Sequence, residues 1–454
     1  MSMREEKKYY LFKNAPLLAE ADVVVIGGGP AGVATAETAA RFGLRVLLVE
    51  KNGFLGGQAV GGLSATICGL YLTNEDWQVK KGPRQIVYGF AERFRCEMKK
   101  YGGLTKPQLY GNTYVDAHEP FIWKIVAENM LCAVGVKIMY HTVICDAVME
   151  NKKLTEVYVL TANGYGRICA KNYIDASGDA VLVAASGGMF RFGNDGIVQN
   201  PSFIFKLANV NEKKFWDYYG ENTICHKDFS DRILAAESFY KVSLPRKKIW
   251  IFRTINSGEI YINATSVSEK NGDNLNCLDV NEVSYAEIIG KRQAMDYARF
   301  LKEYIPGCEK SHIGEHASSI GIRQTRSVVC KRMLHNKEVE QCVKFQDGIA
   351  KSSWPIELHR GSAPKLVWLK DDYYEIPFDT MVPIGYSNLL VAGRCIDAEH
   401  EALASCRVTA QCFAMGHAAG IAAALAMKNN INFDLLDGKT VREYLDKDGA
   451  NFNV

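Results

Sequence analysis

The chain has 454 residues, 48% of them apolar, enough for two or three domains with a sizeable buried core. Its 54 lysines and arginines face 51 acids, a net charge of +3 with no long basic run, which argues against a nucleic-acid platform. The 13 cysteines are scattered singly with no CxxC, so neither a zinc knuckle nor a dithiol pair is supported, and no metal site is expected.

The N-terminal stretch MSMREEKKYYLFKN has no apolar leader, so a cytoplasmic protein is expected. Asp22 to Ile26 is a short β-branched run, the pattern of a buried parallel strand. Gly27, Gly29 and Gly32 follow as GxGxxG. In that order they permit a tight turn, let backbone approach a pyrophosphate, and let the next helix pack on the strand. Pro30 and Ala31 open that helix, where a proline loses no amide donor. The spacing predicts a helix to about Phe42, stopped by Gly43, and a strand from Arg45 to Val49. Glu50 ends it, where a carboxylate accepts ribose hydroxyls of an adenosine and disfavours a 2′-phosphate. After Lys51, Gly56, Gly57 and Gln58 form a second glycine turn, either a contact to the far side of a longer cofactor or a surface loop.

Further on, GLTKPQLYGNTYVDAHEP carries loop signals and is expected to line a cavity. Glu119 to Ala133 has helical periodicity, Val136 to Tyr140 reads as a strand, and TEVYVLTANGYGRICAKNYIDA reads as a hairpin turning at Asn163-Gly164. SFIFKLANV, KKIWIFRTI, EIYINATSV and ASSIGIRQTRSVVC read as strands, with a hairpin at Ser257-Gly258 and a helix over 281–304. Asn388 to Ala392 is a buried strand ended by Gly393, and a small-residue helix follows from about Ser405. AAGIAAALA within it is too short for a membrane span, and none is expected.

Gly27 to Gly57 resembles the FAD-binding start of the two-dinucleotide-binding-domain flavoproteins, with the glutathione-reductase-type fold and in the branch of succinate dehydrogenase and fumarate reductase flavoproteins. KNYIDASGDAVLVAASG resembles the strand that returns to that domain, IGIRQTRSVVC a G-x-R-x-T-R element, and Tyr374 to Ala426 the C-terminal flavin-binding block. Cys330 departs from the usual glycine of the group and Gln324 from a common acid, which puts the substrate in doubt rather than the cofactor. The resemblance implies an α/β protein with a discontinuous Rossmann-like FAD-binding domain over 15–70, 120–200 and 375–430. An inserted α+β substrate domain with a mixed or antiparallel sheet covers 71–119 and 200–375, and 431–454 is a C-terminal extension. It implies that FAD is also held by backbone at Val143, by Ala176, Gly178 and Asp179, and by Gly393, Arg394, Asp397 and Ser405. The helix start after Ser405 would favour the anionic reduced flavin, with Arg407 adding a charge that opposes the helix dipole.

Several residues are candidates for chemistry. Arg323 and Arg326 fall on opposite faces of a regular strand, so one can hold an anionic substrate while the other serves an ion pair or the surface. Cys68 is a covalent tether, a redox thiol or a buried small side chain. His118, His316 and His400 each adjoin an acid and are candidate proton carriers, His400 foremost. No second GxGxxG precedes a strand and an acid, so no separate NAD(P)H domain is expected. The expected activity is FAD-dependent hydride transfer between a small organic substrate and flavin N5, with an external electron donor or acceptor and a homo-oligomer both left open. The alternatives are an electron-transfer subunit of a complex and a non-catalytic dinucleotide-binding regulator.

Overall fold

The computed structural model describes residue 12 and residues 14–75, 82–240, 244–269, 274–359 and 361–453; the segment read for a leader lies almost wholly outside them. β1 (Leu17–Ile26) leads through the glycines into α1 (Pro30–Arg41), and β2 (Val46–Val49) returns beside β1. β3 (Gln108–Tyr110) and β4 (Thr113–Ala117) form a hairpin before α2 (Pro120–Ala133) and β5 (Lys137–Met139). A meander follows, of β6 (Val143–Glu150), β7 (Lys153–Thr161) and β8 (Gly164–Asp175). The next stretch holds β9 (Phe205–Ala208), β10 (Trp250–Arg253), β11 (Ile260–Asn263), α3 (Val280–Tyr304) and β12 (His312–His316). β13 (Ile356–Leu358), β14 (Leu389–Val391), α4 (His400–Cys406) and α5 (Thr409–Asn429) come last.

The largest sheet has seven strands, and its parallel part runs β5-β2-β1-β8-β14. Val23, Val24 and Val25 are fully buried because helices and the meander cover both faces, as a parallel strand requires. β8 is long enough to serve two neighbours on one edge. Its first half pairs antiparallel with β7 through the turn at Gly164, and its end pairs parallel with β14. A second, four-stranded sheet runs β10-β11-β9-β12, all antiparallel. The protein is thus α/β with a Rossmann-like half and an inserted half built on an antiparallel sheet.

Two apolar cores follow these sheets, and they divide the chain differently from the expected ranges. Phe90, Phe94 and Met98 pack in the first core, as do Leu334, Ile349 and Tyr374 and the C-terminal Phe433, Val441 and Leu445. The second core takes Leu63, Ala65, Tyr110 and Val115 together with the β9–β12 region and Trp354. The hairpin β3-β4 therefore replaces the expected loop, because Tyr110 and Val115 alternate inward.

Two further expectations are corrected. Only Arg326–Val328 of the predicted 317–330 strand is regular, pairing with Phe190–Phe192. α5 is long and apolar enough to cross a membrane by length and composition, yet 89% of its apolar window is buried. It is apolar because it packs on α1 at backbone distance. A Cβ on Gly416 would lie 2.1 Å from the Ala31 carbonyl oxygen, and one on Gly420 2.6 Å from Thr38 Cβ.

Candidate functional site: a dinucleotide cradle opening on buried arginines

The cradle is built where β1 meets α1. Gly27 has φ +98°, and a Cβ there would sit 2.7 Å from the Ala176 carbonyl oxygen, so only glycine fits. Gly29 is the N-cap of α1, with no side-chain cap and no acid in the first turn behind Pro30 and Ala31. A Cβ on Gly29 would meet nothing closer than Gly57 Cα at 4.0 Å, whereas one on Gly32 would lie 1.8 Å from the Gly27 oxygen. The second glycine turn lies on the first: Gly56 N donates to the Gly28 carbonyl at 2.8 Å, and a Cβ on Gly57 would reach 3.0 Å from Gly29 Cα. Buried Glu50 accepts from Gly28 N at 2.6 Å and from Asn52 N and Nδ2 at 2.8 and 2.7 Å. Thr142 N donates to the Glu50 carbonyl at 3.1 Å, which sets Val143 beside the acid, while Lys51 is exposed and its charge reaches Asp179. Gln58 Oε1 accepts from Ile322 N at 3.3 Å and ties this end to the Arg323 segment.

The far end gathers four separate pieces of chain. Ala176 N donates to the Ile26 carbonyl at 2.8 Å, and Gly178, at φ +75°, lies against the Arg394 guanidinium. Asp179 accepts from Arg394 Nη2 at 2.6 Å and from Thr325 Oγ1 at 2.8 Å. Burial alone would raise its carboxyl, but Arg394 and Thr325 outweigh burial and hold it below its ordinary value. Gly393, φ +86°, brings backbone to the start of α1, where its Cβ would be 3.1 Å from Ala31 Cβ. The N-terminus of α5 also has no side-chain cap and no acid in its first turn. It abuts the Thr66–Cys68 segment, with Ala410 N donating to the Cys68 carbonyl at 3.0 Å and Thr409 Oγ1 to the Thr66 carbonyl at 3.3 Å.

Three residues of the C-terminal block lie differently from expectation. The helix starts at Thr409, after a break, so Ser405 belongs to α4. Its hydroxyl is buried between Tyr374 Oη at 2.8 Å and the Trp354 carbonyl at 2.5 Å, away from the helix start. Arg407 is the C-cap of α4 rather than part of the first turn of α5. A cation is favourable at the C-terminus of α4, while it still directly precedes Val408, the N-cap of α5. Asp397 accepts from the Arg191 guanidinium and from Cys330 N at 2.8 Å.

Beside the α5 start lies a cluster of buried cations. Arg246 is 1% exposed and Arg323 is 7% exposed, and Arg407 is half-buried with them. Arg323 donates to the Asn200 carbonyl at 2.6 Å and to Ser202 Oγ at 2.7 Å, and Arg407 Nη2 to Gln199 Oε1 at 3.0 Å. Arg246 donates to Asn263 Oδ1 at 3.2 Å and lies 3.2 Å from His359 Nδ1. The carboxylate that faces them is Glu357, which accepts from Tyr110 Oη at 2.8 Å and sits 3.1 Å from His359 Nε2. Burial, then the charges of Arg246 and Arg407, push Arg323 well below its ordinary value. Burial pushes Arg407 down to about 10. Burial would raise Glu357, but His359, Tyr110 and Arg407 outweigh it and hold the carboxyl at about 2. The nearby charges thus leave the cluster with more cation than anion.

A sequence profile of the FAD dependent oxidoreductases matches residues 22–445. The chain belongs to that family. A thiamine thiazole synthase from Aeropyrum pernix is 30% identical over 139 residues, 30% of this chain and 43% of the synthase. A geranylgeranyl bacteriochlorophyll reductase-like protein from Thermoplasma acidophilum has 14% identity and a TM-score of 0.48, covering 95% of this chain and 92% of that one. The flavin-dependent brominase Bmp2 has 13% identity and a TM-score of 0.48, covering 94% and 83%.

The residues of this FAD-dependent oxidoreductase fit its cofactor. The uncapped α1 start and the open side of Gly29 suit a pyrophosphate, and Glu50 is fixed beside them for a ribose. The α5 start, without a side-chain cap, and the Nε of Arg407, unpartnered among the described residues, suit the flavin end or what lies over it.

The other candidates separate. Cys68 borders the cation cluster, 3.0 Å from Thr66 Oγ1, and burial pushes its thiol up to about 12, so it is a neutral thiol. His118 is buried with both ring nitrogens unpartnered among the described residues, and burial pushes it down to about 3. His316 Nδ1 lies 2.9 Å from the Ala317 carbonyl, and His400 opens α4. Arg326 stands apart from the cation cluster, donating to the Asp179 carbonyl at 3.0 Å with its guanidinium 5.0 Å from the Phe190 ring centre. The sequence reading missed Asn52, Tyr110, Gln199, Arg246, Glu357 and His359. The Glu-x-His spacing after Ile356 could have shown the last pair, since a two-residue offset on a strand shares a face.

Proposed function

We propose that the enzyme acts on a small organic anion, with hydride passing between a substrate carbon and flavin N5. When bound, FAD supplies the hydride acceptor or donor. The observation that carries the reading is the trio of buried Arg246 and Arg323 and half-buried Arg407, set against the carboxylate of Glu357. Guanidinium forks match a carboxylate in pairs of hydrogen bonds, and they do so most strongly where water is excluded. Tyr110 and Trp354, with ring centres 4.7 Å apart and both buried, provide that dry wall. The sequence carries no second dinucleotide fingerprint, so electrons would enter or leave through the substrate or an external partner.

The test is anaerobic mixing of the FAD-loaded protein with a panel of small organic acids and their amides or methyl esters. Bleaching or re-oxidation of the flavin by acids, and not by neutral analogues, is expected. Equal reaction with the neutral analogues would overturn the reading.

A further inference from the structure

The hydrogen bonds around His359 determine where its proton sits. A guanidinium has donors and no acceptor, so Arg246 Nη2, 3.2 Å from His359 Nδ1, requires a lone pair on that nitrogen. The carboxylate of Glu357 lies 3.1 Å from Nε2 and requires a hydrogen there. His359 therefore donates through Nε2 and accepts through Nδ1, and it is neutral. The string continues to Tyr110, whose hydroxyl gives a second hydrogen to Glu357 Oε1 at 2.8 Å. Arg246 needs such an aligner, since among the described residues its Nε has no partner and its other side-chain hydrogen bond is to Asn263.

We infer that His359 is a positioning residue. Held in one tautomer by the Glu357 carboxylate, it aims the Arg246 guanidinium at the anion. The inference rests on the anion reading above and adds the device that orients one of its cations. The groups facing the ring are Glu357, Arg246 and Arg323, with Trp250 lying alongside. Burial, and then the neighbouring guanidinium charges, oppose a second proton on His359, so anion affinity should not follow histidine protonation.

The experiment uses FAD-loaded protein titrated with sulfate and with acetate, followed by the flavin difference spectrum. The wild type is expected to bind with an affinity flat between about pH 6 and 8. Arg246→Met should abolish the response. His359→Phe, with FAD content unchanged, should weaken it about tenfold or more, as loss of a hydrogen bond to a charged group does. His359→Gln keeps an acceptor and a donor and should recover part of the affinity. If neither anion perturbs the wild-type flavin, or if Arg246→Met binds normally, the anion reading itself fails. If Arg246→Met loses binding while His359→Phe retains it, the anion reading stands and the positioning role is overturned. Nitrogen-15 histidine labelling of the wild type gives a second measure that needs no variant to fold. His359 should show a protonated Nε2 and a bare Nδ1 across that pH range, and a doubly protonated ring would overturn the inference.

Discussion

Arg407 Nη2 reaches Gln199 Oε1 at 3.0 Å, while Arg407 Nε and Gln199 Nε2 are buried with no hydrogen-bond partner among the described residues. A buried polar atom left unpaired costs about 1–3 kcal/mol, so such a pair is tolerated where a ligand supplies the missing partners. Arg407→Met should therefore lower kcat/KM for flavin turnover by about a hundredfold, the equivalent of about 2.7 kcal/mol. Arg407→Lys should restore only part of it, since a point charge lacks the planar fork. Steady-state kinetics at matched FAD content checks both, and an Arg407→Met enzyme with wild-type kcat/KM would remove Arg407 from the site.

The two glycines at the head of α1 should separate cofactor binding from folding. A methyl on Gly29 finds 4.0 Å of room within the protein, at φ −71°, so Gly29→Ala should fold normally and lose FAD. A methyl on Gly32 would strike the Gly27 carbonyl at 1.8 Å, so Gly32→Ala should cost stability, about 1–3 kcal/mol by the usual toll of overpacking. FAD content per chain and the denaturant midpoint of the apoprotein read the two effects apart. Equal FAD content in Gly29→Ala and wild type would show that the pyrophosphate lies elsewhere.

This separation also marks how far the sequence could be read. GxGxxG, the strand before it and Glu50 all lie within the one stretch from Asp22 to Glu50, and β1, α1 and β2 form where the pattern puts them. The cation cluster is not local. Arg246, Arg323, Glu357 and Arg407 come from four distant stretches, and only tertiary packing brings their charges near one another. The break between α4 and α5 was hidden for a related reason. Ser405 to Thr409 carries no proline or glycine, and the helix is interrupted where Arg407 turns to meet Gln199 and Ala410 N meets Cys68. α5 showed its small-residue face in sequence, but that pattern alone does not say whether the partner is lipid or α1.

Cys68 should behave as an inert thiol. Burial pushes it up to about 12, so its thiolate is scarce at pH 8, and only the thiolate is nucleophilic. Cys96, Cys132 and Cys145 are exposed. Brief treatment with iodoacetamide at about pH 8 should label those three and spare Cys68, as read by peptide mass spectrometry. Rapid labelling of Cys68 in the folded holoprotein would return it to the list of redox candidates.

The C-terminal segment should set part of the acid limit of stability. His417, on α5, is 2.8 Å from Asp448 Oδ2, and Asp448 also pairs with Arg41 of α1 and with Arg93 at 3.2 Å. Burial would raise the Asp448 carboxyl, but His417, Arg41 and Arg93 outweigh it and hold it well below its ordinary 3.8. A carboxyl lowered by folding contributes stability that is present above its unfolded value and is lost as pH falls through the folded value. His417 is lowered from 6.5, chiefly by burial, so its protonation opposes folding as pH falls below that value. Wild-type stability should therefore decline in two stages, first below about pH 6.5 and again below about pH 4. Asp448→Asn should cost about 2 kcal/mol at neutral pH, the scale of lost charged hydrogen bonds, and should shrink the lower stage, to which Glu357 and Asp179 also contribute, while leaving the upper one. Denaturant midpoints measured from pH 7 to pH 3 distinguish these slopes. A variant whose decline below pH 4 matches the wild type would mean that Asp448 gains nothing from its partners.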